Sequence, residues 1–138
     1  MTDFVLDPRL AGDSVPILEM PLSTARLFDN AHYCWVMLIP RQAGLVEITD
    51  LSRHDQGWLL DEINRVSAAV KQVSGCLKLN VAAIGNIVRQ LHVHVVGRDE
   101  GDPAWPGPVW GGPRMRYEPA ALAARAEALR AALARGAA

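Results

Sequence analysis

The chain has 138 residues, half of them apolar, which suits one domain with a single sizeable core and leaves no room for two. Fourteen Lys and Arg against fifteen Asp and Glu give a net charge of −1, so no global field draws in nucleic acid or an acidic membrane surface, and an anionic ligand has to be held by local groups. The two cysteines, Cys34 and Cys76, lie singly inside apolar runs, and neither a basic apolar leader nor a membrane-length apolar block occurs; the expectation is a soluble protein of the reducing cytoplasm.

In chain order, PILEM (16–20) and TARLF (24–28) read as short strands, and Asp29 with Asn30 as the turn into HYCWVMLIP (32–40). That run is rich in aromatic and branched residues and ends at Pro40, as a central strand does. From Ser52 the period lengthens to that of a helix. Leu59, Ile63, Val66, Val70 and Val73 share one face, and Asp61, Glu62, Arg65 and Lys71 take the other. Ser52 followed by Asp55 resembles a capping box, and Gly75 supplies a left-handed stop.

CLKLNVAAI (76–84) is a further strand, Gly85 and Asn86 form a break, and the alternation resumes from Ile87 to Val96. Repeated Pro and Gly in RDEGDPAWPGPVWGGP (98–113) preclude regular structure, whereas Trp105 and Trp110 argue for a loop docked on something. The Ala-rich tail from Glu118, with Leu122, Ala126, Leu129 and Leu133 on one face, reads as a peripheral helix. The order implies an α+β fold: a mostly antiparallel sheet of about five strands, one long helix packed on it, and a C-terminal helix. Residues 1–138 form one domain on this reading, with a core of about 15–110 and a helical extension over 111–138.

The chemistry concentrates in RQLHVHVVGR (89–98). Residues two apart on a strand share a face, so Gln90, His92 and His94 are expected to line a cleft while Leu91, Val93 and Val95 sit under the helix. His92 can then offer a neutral ring nitrogen as nucleophile or base, and His94 can stay protonated as acid or anion clamp, since close like charges push two pKa values apart. Gly85 and Asn86, just upstream, form a turn whose backbone can approach a phosphate closely. The set suits phosphoryl or nucleotidyl transfer without a metal.

GNIVRQLHVHVVG (85–97) resembles the signature of the histidine triad (HIT) family, a Gly-polar pair followed by histidines at alternating positions. WVMLIPR (35–41) is similar to that family's apolar strand ending in Ile-Pro-Lys or Ile-Pro-Arg, and the likeness spans roughly residues 15–110. It implies a HIT-like fold and a nucleotide hydrolase or transferase acting on a dinucleoside polyphosphate or a nucleoside phosphoramidate, with no cofactor or bound metal. His92 would be the nucleophile that forms a covalent nucleotidyl-histidine, and His94 would act at the phosphate and leaving group. Asn86, Gly85 and Asn80 would lie at the phosphates. Phe28, Asp29 and Leu38 would contact ribose and base, Trp105 and Trp110 would line the mouth, and two copies would join their sheets side by side as a homodimer.

Two positions depart from the family pattern. Gln90 stands where the first histidine of the triad would be, and Trp35 where many relatives carry a histidine. Because both changes remove an imidazole, they read as one coupled variation in the supporting groups; an amide can donate and accept but cannot relay a proton. Two other readings stay open: a nucleotide-binding module without turnover, and a cupin-like metal site built from His92, His94 and Asp99.

Overall fold

The structure, a computed structural model, describes residues 3–136; the two terminal positions at either end of the expected 1–138 domain lie outside the described residues. Five strands, β1 (Ser14–Glu19), β2 (Ser23–Phe28), β3 (Trp35–Pro40), β4 (Lys78–Ala82) and β5 (Val93–Arg98), form one sheet in the order β1-β2-β3-β5-β4. Every neighbouring pair is antiparallel. Three helices accompany it: α1 (Pro8–Gly12), α2 (Arg53–Ser74) and α3 (Pro119–Gly136). This is the α+β arrangement the sequence predicts, with β5 inserted between β3 and the outer strand β4.

The central strand β3 is buried at all six positions because both of its faces are covered. Val36 and Leu38 join Leu59, Val66 and Val70 of α2 in the main core. Trp35, Met37 and Ile39 belong to a second apolar cluster on the opposite face. Strand β5 divides likewise: Val93 and Val95 enter the main core, and Val96 the second cluster.

Helix α2 starts at Ser52, whose side chain accepts from Asp55 N at 3.0 Å, and stops at Gly75 with φ 67. The expected box is half made, since Asp55 Oδ2 accepts from Gln42 Nε2 at 2.8 Å instead. Glu62, expected on the solvent face, is 1% exposed. Its Oε2 accepts from Leu22 N at 2.7 Å and Ser23 N at 3.4 Å, so the carboxylate is held by the turn between β1 and β2.

Two more expectations are corrected. Helix α3 is no peripheral tail, because Ala126, Leu129, Ala132 and Leu133 all enter the main core beside α2. The last strand begins at Val93, not Ile87. Beyond Pro40, β3 leaves the sheet, and Leu91 N donates to Leu45 O in the loop that follows, so residues 87–92 have no strand to pair with. Among the described residues no helix is long and apolar enough to cross a membrane.

Candidate active site

On the face of the sheet away from α2 lies a cleft of about 360 Å³, within the range of small-molecule sites. Leu10, Phe28, Trp35 and Met37 give it an apolar wall; Gly85, Asn86, His92 and His94 line the polar side, and Asp13 and Trp110 also border it. Register explains the grouping. Met37 pairs with His94, and Trp35 lies two residues earlier on the same face of β3. Gly85 has φ 66, a backbone region L side chains rarely adopt, and a Cβ there would stand 3.2 Å from Val88 O.

The two imidazoles lie edge to face with ring centroids 4.8 Å apart, each nearly buried. Their hydrogen bonds fix opposite tautomers. His92 Nδ1 sits 2.7 Å from Gln90 O; a carbonyl only accepts, so Nδ1 carries the proton and Nε2 keeps its lone pair. His94 Nδ1 is 2.9 Å from Trp35 Nε1; an indole N–H only donates, so Nδ1 carries the lone pair and Nε2 the proton.

The expectation that His94 stays protonated is therefore overturned. Burial, with the charge of His92 adding to it, pushes the His94 pKa from an ordinary 6.5 to about 3. Its ring is a neutral N–H donor at physiological pH. The unfolded chain binds a proton between pH 6.5 and 3 that the folded chain refuses, so the stability this group contributes is full above pH 6.5 and is lost as pH falls towards 3. His94→Gln keeps an acceptor for the Trp35 indole and removes the titration. Urea unfolding at pH 7 and pH 3.5 should show wild type losing on the order of 3 kcal/mol more than this variant.

Several expected ligand contacts are engaged elsewhere. Leu38 is fully buried in the main core, on the face away from the cleft. Asp29 turns off the cleft: its Oδ1 accepts from Tyr117 N and its Oδ2 from Arg116 Nη1, both at 2.9 Å, which ties down the segment leading to α3. Asn80 Oδ1 accepts from Arg98 Nη1 at 2.7 Å. Gln90 bonds through its amide to the backbone of Asp7 and Val5, not towards the cleft. Asp99 does not join the histidines, because its Oδ1 accepts from Leu77 N at 2.9 Å. Among the described residues no three His, Cys, Asp or Glu are grouped to hold a metal.

Trp105 is likewise not a wall of the cleft. It lies 5.6 Å from the Arg98 guanidinium, and the tryptophan that reaches the site is Trp110, whose ring is 5.1 Å from that of His94 and 5.7 Å from that of Trp35. Arg98 is the organising group that the sequence reading missed. Only 1% exposed, it forms a two-pronged ion pair with Asp102 at 2.7 and 3.0 Å and donates to Asn80 and to Gly107 O. The loop that carries Trp110 is thereby pinned to β5. Leu10, Asp13 and Met37 were also missed; β3 is apolar throughout, so its sequence did not mark Met37 as facing the cleft.

The antiparallel sheet thus carries a His-x-His pair over an apolar cleft. The HIT domain model matches residues 10–101. A histidine triad (HIT) protein from Sinorhizobium meliloti 1021 is 41% identical, with a TM-score of 0.88 and 96% of each chain covered. Histidine triad protein blr8122 from Bradyrhizobium japonicum is 41% identical with a TM-score of 0.92, covering 96% of this chain and 99% of that one. A histidine triad protein from Marinobacter aquaeolei VT8 is 39% identical with a TM-score of 0.92, covering 97% and 98%. No curated protein matches the chain. The protein belongs to the HIT family.

Proposed function

We propose that the protein is a nucleotide hydrolase or transferase that cleaves a nucleoside phosphate bond, of the dinucleoside polyphosphate or nucleoside phosphoramidate kind, through a nucleotidyl-histidine formed on His92. The observation that carries this reading is the tautomer of His92, whose Nδ1–H is held by Gln90 O and whose Nε2 lone pair is left for attack. Nε2 forms a bond to the α-phosphorus as the bond to the leaving group breaks; the leaving group takes the electron pair and a proton from solvent. Water or another acceptor then attacks the same phosphorus and gives up its proton to solvent as the bond from phosphorus to Nε2 breaks, and the electron pair returns to Nε2 to restore His92.

His94 contributes a neutral N–H to a phosphoryl oxygen, and the Gly85–Asn86 turn beside it lets the backbone approach the same group. Phe28, Trp35 and Met37 form an apolar wall suited to a base. The test is to incubate the protein with a dinucleoside polyphosphate and with an adenosine phosphoramidate. Release of a nucleoside monophosphate from either is expected; tight binding with no release favours a nucleotide-binding module. The second reading draws support from Gln90 and His94, neither of which can supply a proton as an imidazolium does.

We also propose a homodimer joined through β4. This is an outer strand, and Val81 within it and Leu77 just before it are 47% and 62% exposed. An unpaired edge beside apolar side chains suits pairing with a second copy. Light scattering should report twice the mass of one chain, and Val81→Arg should halve it; a monomeric wild type contradicts the proposal.

A further inference from the structure

Gln90 stands where the resemblance places the first histidine of the triad, and its side chain bonds twice to backbone. Oε1 accepts from Asp7 N at 2.9 Å, and Nε2 donates to Val5 O at 2.8 Å. One amide thus engages the two backbone groups that flank Leu6. An amide presents its oxygen and one N–H side by side on a single edge, whereas the two nitrogens of an imidazole point away from each other. A histidine here can meet one of these partners and must leave the other.

The segment so held runs on into the cleft. Phe4 and Leu6 pack against the cluster that contains Trp35 and Met37. Asp7 caps α1 by accepting from Arg9 N at 2.8 Å, and Arg9 Nη1 donates to Ile87 O at 3.3 Å in the loop before His92. Leu10 of α1 and Asp13 just after it then border the cleft. The Asp7 carboxyl is held below its usual range, chiefly by hydrogen bonds from Arg9, with a contribution from charge on His92.

We propose that Gln90 is a positioning residue that acts through the chain's own N-terminal segment: its amide clamps residues 5–7 beside the cleft, and so sets Leu10 and Asp13 as the wall that receives the nucleoside. The proposal rests on the cleft being a nucleotide site. On the resemblance, Gln90 in place of the first histidine is then a backbone-reading amide where a proton-relaying ring would stand. The consequence is an effect on substrate affinity rather than on proton transfer.

Hydrogen exchange on the ligand-free protein reads the clamp without any substrate. In Gln90→Ala and in Gln90→His, exchange over residues 7–11 should rise at least roughly tenfold while β3 and β5 stay protected. With a nucleoside phosphoramidate, KM should rise roughly tenfold in both variants with kcat within about threefold of wild type. Unchanged exchange overturns the clamp. A fall in kcat at constant KM, or a gain in kcat with histidine, overturns the positioning role in favour of proton transfer. If wild type turns nothing over, the chemistry assigned to His92 fails by itself. The clamp is then judged on exchange and on the dissociation constant of adenosine monophosphate, which must rise in both variants; no binding by wild type overturns the wall.

Discussion

Replacing His92 by alanine should abolish turnover, lowering kcat by roughly 10³-fold or more, equivalent to about 4 kcal/mol of barrier. His94 cannot take over: the nitrogen that carries its lone pair is occupied by the Trp35 indole, and its other nitrogen carries a proton. His92→Gly should respond to added imidazole, which can enter the vacated space and present a free nitrogen, whereas His94→Gly should not. The fold should survive, because His92 lies outside β5 and its one ring bond is to a backbone carbonyl two residues away. Steady-state kinetics with matched thermal unfolding separates loss of chemistry from loss of structure.

The second large effect belongs to Arg98. Its guanidinium is sealed between Tyr33 and Trp105, 5.7 and 5.6 Å away, and meets Asp102, Asn80 and Gly107 O. Arg98→Ala leaves the 8% exposed Asp102 carboxylate without its partner and frees the loop that brings Trp110 to His94. Truncating one partner of such a buried pair costs about 3–5 kcal/mol, which lowers Tm by roughly 10–17 °C for a domain of this size. Lysine should rescue little, since a single ammonium cannot span both carboxylate oxygens and a carbonyl at once. Calorimetry checks the first effect; the second appears as a loss of kcat/KM measured well below the new Tm.

How far the sequence could be read depended on how local each cause was. Helix α2 was legible because Ser52, Gly75 and the apolar stripe between them act within a few residues of one another. Glu62 was not, because the turn amides that hold it lie about forty positions earlier in the chain. Strand β3 was legible as a strand, but it is apolar at every position, so no alternation distinguished its two faces. Leu38 was therefore assigned to the cleft where Met37 lies.

The site shows the same limit. Spacing correctly joined His92 to His94, yet it also joined Gln90, because the point at which β5 begins is set by Pro40 and Leu45 on another part of the chain. Asp29 adjoins Phe28 in sequence and turns away in space, drawn off by Arg116 and the Tyr117 amide from the approach to α3. Of the two loop tryptophans, Trp105 is held at Arg98 while Trp110 reaches the histidines. Arg98 and Asp102, although four positions apart, run from the end of β5 into an irregular loop, where that spacing does not announce a pair.

The proposed turnover depends on a covalent bond between His92 Nε2 and phosphorus. Its most direct measurement is mass spectrometry of protein mixed rapidly with a nucleoside phosphoramidate or dinucleoside polyphosphate and quenched in base, where such an adduct survives. The peptide that contains His92 should gain one nucleotidyl group, and the His92→Ala protein should gain none. Turnover without any adduct, or an adduct carried by His94, contradicts it.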